Sequence, residues 1–108
     1  MTPRTVLAAT AAVVILTTAV ATAQDHAALI EDGRAAFTRI GCSNCHTVHG
    51  IGTAIAPDLS KVGTKHDSAY LERWLRDPRE VHPSGHMPAL ELTEADIRAL
   101  AAFLAAQH

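Results

Sequence analysis

The sequence predicts an all-α domain in which three main helices are joined by two long irregular segments. Three observations carry this. No run alternates β-branched with polar residues as a half-buried strand does. Apolar residues instead recur at helical spacing in three stretches. Between them, about Cys42–Asp67 and Asp77–Leu92, periodicity is lost. Structureless connections longer than about 12–15 residues are uncommon in compact domains unless they serve a function.

Residues before the first helix belong to another class of segment. Arg4 is the only charge ahead of Asp25, Val6–Val20 is apolar, and Ala21-Thr22-Ala23 supplies small residues in an A-x-A arrangement. A basic start, an apolar middle and a small-residue exit read as a secretory leader. The expected division is a signal peptide over residues 1–23 and a folded domain over 24–108. The competing reading is an uncleaved anchor, since at about 1.5 Å per residue the uncharged stretch can cross a hydrocarbon core of roughly 30 Å. Its richness in Ala and Thr favours cleavage. Either way the domain lies outside the cytoplasm, and a periplasmic location is expected, with membrane contact only if the leader stays.

The first helix is expected over about Ala27–Ile40, where Leu29, Gly33, Ala36, Phe37 and Ile40 share a face. Gly33 is costly inside a helix, so a close helix–helix contact would explain it; an exposed, weakened turn is the other reading. A short helix follows over about Ser68–Arg76, with Leu71, Trp74 and Leu75 on one face and Asp67 or Ser68 at its cap. Pro78 ends it, because proline disfavours helical geometry at the preceding residue. The last helix has Thr93 as N-cap, Glu94 and Asp96 at the positive end of its dipole, and an apolar stripe of Ile97, Leu100, Ala101 and Leu104.

The chain of 108 residues accommodates one domain, and a net charge of −2 gives no reason to expect a nucleic-acid partner. Phe37, Tyr70, Trp74 and Phe103 are its only aromatic residues. So small a core usually needs a staple such as disulfides, a metal or a cofactor. Two cysteines two residues apart cannot supply one, because the loop they would close is too short to restrain the unfolded chain.

Cys42-Ser43-Asn44-Cys45-His46 resolves this, because C-x-x-C-H is the attachment sequence of c-type haem. Two thiols add to the two vinyl groups of one porphyrin, and the next residue offers an imidazole to the iron. Three other readings compete. A redox dithiol would want a βαβ context that is lacking. A zinc site could use Cys42, Cys45, His46 and His49, but structural zinc usually draws ligand pairs from separated segments. A plain Cys42–Cys45 disulfide leaves His46 without a role. On the haem reading the iron needs a second ligand or an open face. Apart from Met1 the chain has one methionine, Met87, set between His86 and Pro88 in the second irregular segment. Histidine with thioether sulfur is the ligand pair of cytochromes c. A methionine in such a loop, away from any helical stripe, is a poor core residue.

From about Glu31 to Ala105 the sequence resembles the small class I cytochromes c of bacteria. The resemblance rests on Gly33 and Phe37, Cys42–His46, Ala56-Pro57-Asp58-Leu59, Tyr70-Leu71-Glu72-Arg73-Trp74-Leu75, Asp77-Pro78, Met87-Pro88 and the Leu92–Leu104 helix. It implies the class I cytochrome c fold, three main helices wrapped with long loops around one covalently bound haem c. It also implies that the Pro57 carbonyl accepts the proton on the far nitrogen of His46, which fixes the imidazole's tautomer and orientation. Leu59 would pack on the haem face, and Gly33 and Phe37 would meet the last helix near Leu100 and Phe103. For Trp74 two roles stay open: an indole N–H given to a haem propionate, or a core aromatic that caps the pocket. The chain departs from its relatives in one place. They commonly carry Pro-Gly shortly before the methionine, whereas here Ser84 separates Pro83 from Gly85.

His26, His49, His66, His82, His86 and His108 are expected to be solvated, with His82 and His86 as substitutes for Met87 if the loop rearranges. Arg73, Arg76 and Arg79 are interspersed with Glu72, Asp77 and Glu80, a mixed solvated face. The expected function is that of an exported, monomeric, monohaem electron carrier between donor and acceptor redox proteins, with no catalytic constellation. Three alternatives stand beside it. One is a dedicated haem subunit of a periplasmic oxidoreductase. Another is a gas-binding or weakly peroxidatic protein whose Met87 bond opens, and the third is a zinc module.

Overall fold

The computed structural model describes residues 3–108, with side chains from residue 18 onward. Four helices are formed: α1 (Pro3–Ile40), α2 (Ser68–Arg76), α3 (Pro78–Val81) and α4 (Glu94–Ala105). Single 3-10 turns lie at Cys42–Asn44 and Val62–Thr64, and two short strands, β1 (Thr47–Val48) and β2 (Ile51–Gly52), complete the chain. The expected all-α class and its three main helices are therefore present. The division expected at residue 23 falls within α1; the first two residues of the chain, and the side chains through residue 17, lie outside the described residues. No helix among the described residues is long and apolar enough to cross a membrane.

Helix α1 starts far earlier than the expected Ala27. Its only proline sits at the first helical position, where the missing N–H costs nothing. The Ala-rich sequence that follows has high helix propensity and no breaker before Gly33. The helix stops where Gly41 turns left-handed, at φ 100°.

The core forms where the C-terminal half of α1 and the buried face of α2 meet α4. Phe37 meets the Phe103 ring edge-on at 5.8 Å, and Leu71, Leu75, Ile97, Leu100 and Leu104 are buried between the helices. Gly33 is the crossing point. A Cβ there would collide with the Ala99 carbonyl and the Phe103 side chain, so glycine is required by close approach. A second close approach occurs at Gly63, where a side chain would strike the Ala105 carbonyl.

Two elements depart from expectation. Pro78 ends α2 and also begins α3: Asp77 caps the shorter helix by accepting the Arg79 N–H at 3.1 Å. Proline at N1 behind an aspartate is a helix start, so the segment after Asp77 is not wholly irregular. The strands form a small antiparallel hairpin, Thr47 opposite Gly52 and Val48 opposite Ile51. Its turn residues His49 and Gly50 both have positive φ, 49° and 79°, the backbone that lets a two-residue turn follow the strands' twist.

The caps of α2 and α4 are the expected ones. The Asp67 carboxylate accepts the Tyr70 N–H at 2.9 Å. Thr93 Oγ1 accepts the Asp96 N–H at 3.1 Å while the Asp96 carboxylate accepts the Thr93 N–H at 3.4 Å, a full capping box. At the other end of α4, buried Gln107 ties three segments together. Its amide donates to the Phe103 carbonyl at 2.7 Å, its side-chain oxygen accepts from His49 Nε2 at 2.9 Å, and its backbone carbonyl accepts the Gly63 N–H at 2.8 Å.

Candidate functional site

The C-x-x-C-H segment follows α1 directly because Gly41 turns the chain into the 3-10 turn. That turn is closed by the Cys42 carbonyl, which accepts the N–H groups of Cys45 at 3.2 Å and His46 at 2.9 Å. The chain then folds back over it. The Cys45 carbonyl accepts from Ile55 and Ala56, at 3.1 and 2.8 Å, and the Ser43 carbonyl from Thr53 at 3.0 Å. Gly52 makes this return possible: it has φ 120°, and a side chain there would strike the His46 carbonyl. Both thiols are free, Cys42 half-buried and Cys45 exposed. Burial pushes the Cys42 thiol up from its usual range, partly offset by a backbone hydrogen bond.

His46 Nδ1 lies 2.7 Å from the Pro57 carbonyl oxygen. A carbonyl can only accept, so Nδ1 carries the proton, and it is Nε2 that, in the neutral imidazole, has a lone pair to offer. Pro57 is itself held by its neighbours. Thr47 Oγ1 and Ser60 Oγ donate to the Asp58 carboxylate at 2.7 and 2.8 Å, and the Thr47 carbonyl accepts the Leu59 N–H at 2.8 Å. Ser60 Oγ in turn accepts the His49 N–H at 2.6 Å. Asp58 is held below the usual carboxylate range, chiefly by the Thr47 hydroxyl and then by Ser60.

Cys42, Cys45 and His46 line a cavity of about 1150 Å³, and Pro57, Leu59, Trp74 and Met87 line the same cavity. All seven residues singled out from the sequence are thus brought together. The volume exceeds the roughly 300–1,000 Å³ usual for small-molecule sites, and much of the core wall is apolar, formed by Phe37, Leu71, Leu75, Leu100 and Leu104. A large flat macrocycle fits such a space: two thiols for its vinyl groups, and one imidazole nitrogen and one thioether sulfur for its iron. A zinc module fits poorly, since among the described residues no three His, Cys, Asp or Glu side chains gather around a common point.

Trp74 does something neither sequence reading anticipated. Its Nε1–H donates to the Met87 sulfur at 3.1 Å. The indole also belongs to a row of rings: His66 stacks on Tyr70 at 3.9 Å, Tyr70 neighbours Trp74 at 6.4 Å, and Trp74 neighbours His82 at 6.1 Å. His49 and His82 are exposed as expected and His66 is half-buried, and each of the three also has a structural partner. Helical spacing of Tyr70 and Trp74, with Asp67 as cap, could have pointed to the first part of this row; nothing in the sequence points to His82. The mixed charged face is as expected, with Arg76 paired to Glu94 at 2.8 Å. Ile55, on the cavity lining yet 75% exposed, had no sequence signal.

A family model described as Cytochrome c matches residues 30–107. Cytochrome c oxidase subunit 2 of Alkalihalophilus pseudofirmus is 34% identical over 85 residues, covering 70% of this chain and 25% of that protein. A nitric oxide reductase subunit of Cereibacter sphaeroides is 35% identical over 81 residues, 67% of this chain and 55% of that one. Its counterpart in Paracoccus denitrificans is 33% identical over 84 residues, with 69% and 56% covered. The chain spans a quarter to just over half of the length of these relatives. By this match and its C-x-x-C-H turn, the chain belongs to the class I cytochrome c family, whose domain transfers electrons through covalently bound haem c.

Proposed function

We propose that this chain is an exported monohaem cytochrome in which Cys42 and Cys45 hold the haem and His46 and Met87 ligate its iron. The observation that carries the reading is the His46–Pro57 hydrogen bond of 2.7 Å, which commits Nδ1 and leaves Nε2 for a metal on the cavity that Met87 also lines. Haem c supplies a one-electron iron couple when bound. The Pro57 carbonyl orients the imidazole and raises its basicity. The soft Met87 sulfur favours ferrous iron and so raises the potential. Leu59 and Trp74 exclude water from the site. The leader over residues 1–23 directs export, and the domain works as a monomer in the periplasm.

Electrons would pass to and from redox proteins through brief contacts, burying less than about 1,200 Å² in total so that release does not limit turnover. A second reading is favoured by the relatives, which are named as subunits of a cytochrome c oxidase and of nitric oxide reductases. On that reading the chain is the haem subunit of one oxidoreductase. Stoichiometric co-purification with a large subunit from the native host would support it; recovery of the chain alone would support the free carrier.

Carbon monoxide tests the ligation. The reduced unaltered protein should bind it slowly, and Met87→Ala should bind it readily. Ready binding by the unaltered protein would contradict a filled sixth position.

A further inference from the structure

We propose that Gln107 and His49 are positioning residues for the iron ligand. Together they tie the His46–Pro57 bond to the end of α4, which strengthens that bond and lowers the potential from the histidine side. This rests on the reading of His46 as a ligand of the iron. Gln107 is the one buried polar residue among the described residues, and each of its polar groups is used. Its side-chain amide donates to the Phe103 carbonyl at 2.7 Å. Its backbone N–H donates to the Leu104 carbonyl at 3.0 Å, and its backbone carbonyl accepts from Gly63.

These partners fix a tautomer. A carbonyl only accepts, so the amide nitrogen of Gln107 must face Phe103 and its oxygen must face His49. His49 Nε2, 2.9 Å from that oxygen, therefore carries a proton. His46 is held the other way, protonated on Nδ1 against the Pro57 carbonyl. From His49 the bonds run back towards that pair. The His49 N–H donates to Ser60 Oγ at 2.6 Å. Ser60 Oγ and Thr47 Oγ1 then donate to the same Asp58 oxygen, at 2.8 and 2.7 Å. Thr47 follows His46 and Asp58 follows Pro57 in the chain, so this carboxylate clamps both sides of the His46–Pro57 bond.

A buried polar network rigidifies what it joins when every member is satisfied. Here it joins the hairpin turn and the Pro57 segment, which no helix holds, to the packed end of α4. The chemistry gives a direction. A well-held Nδ1–H···O bond makes the imidazole a more basic ligand, and a more basic ligand favours ferric iron. The anchored bond thus lowers the potential, as hydrogen bonds beyond the ligands generally tune a haem. Without the anchor the Pro57 segment moves more freely and the bond weakens.

Gln107→Met removes the side-chain hydrogen bonds at nearly constant volume. His49→Asn keeps a residue that accepts the left-handed turn but is too short to reach Gln107. In both haem-loaded, reduced variants the His46 Nδ1–H should exchange with solvent several-fold faster than in the unaltered protein. Gln107→Met should also have a higher midpoint potential. The double variant should exchange no faster than the faster single one, because both act along one chain of bonds. Thr93→Ala, at the opposite end of α4, is the control for general loosening and should leave exchange and potential unchanged. Unchanged exchange and potential in the single variants would overturn the proposal, as would effects that simply add or that Thr93→Ala reproduces. The unaltered protein gives a further measurement that needs no variant. Its neutral His49 ring should be protonated on Nε2, and an Nδ1–H tautomer would overturn the assignment. His46 ring resonances without the ring-current shift of a haem ligand would overturn it at its premise, a distinct failure.

Discussion

At Gly33 one missing side chain sets how closely α1 and α4 cross, because a Cβ would meet the Ala99 carbonyl rather than a yielding side chain. Gly33→Ala should therefore cost stability despite alanine's better helix propensity, by about 1–3 kcal/mol, the usual cost of overpacking. Chemical denaturation of the haem-loaded protein measures this; a gain in stability would show that the helices separate freely. Asp58 yields a pH prediction. Hydrogen bonds from Thr47 and Ser60 lower its pKa in the folded chain. A lowered carboxyl pKa contributes stability that is present above the unfolded value and lost as pH falls through the folded one. Asp58→Asn should thus lower stability near neutrality and flatten its acid-side loss below about pH 4. Residues with covalent or close-packing roles were legible in the sequence: the C-x-x-C-H turn fixes its own chemistry, and glycine inside an amphipathic helix asks for a neighbour. The Trp74–Met87 bond was not, since it joins α2 to an irregular segment and depends on a rotamer.

Among the elements, α2 and α4 were readable from their caps, and both begin where those caps place them. Thr93→Ala removes the hydrogen bond that Thr93 Oγ1 accepts from the Asp96 N–H, one half of the α4 capping box, and should cost about 1 kcal/mol. An unchanged denaturation midpoint would mean that core packing alone holds this end of α4. Helix α3 carried a readable signal, an aspartate before proline with Glu80 in the first turn, but its four residues lie below the length at which periodicity speaks. The hairpin was hidden for a similar reason. Its strands have two residues each, too few to alternate, and His-Gly is a less familiar turn than Asn-Gly. His49 takes a left-handed backbone, which histidine adopts more readily than most non-glycine residues, and its side chain is bound to Gln107. The early start of α1 is hard to read because the composition ahead of Asp25 reads as an export segment, while the same alanines also favour helix.

At the scale of the whole molecule, the three helices enclose too little to be a core by themselves. The cavity of about 1150 Å³ runs along Phe37, Leu71, Leu75, Leu100 and Leu104, so the residues that would be the protein's centre are also its pocket wall. The family's covalent haem fills that role, as cofactors do in small domains with few aromatics. Replacing both thiols, Cys42→Ala with Cys45→Ala, should leave the colourless chain with much of its helix signal but little fixed aromatic packing in near-ultraviolet circular dichroism. A rigid near-ultraviolet spectrum from that variant would show that the helices pack without the haem. The central claim, that His46 and Met87 together hold the iron, is tested most directly by the visible spectra of the intact protein, oxidised and reduced. Sharp c-type bands on reduction, with the weak far-red band of sulfur-bonded ferric iron on oxidation, are the expected result. Haem bands without the far-red feature would remove Met87 from the iron and contradict the claim.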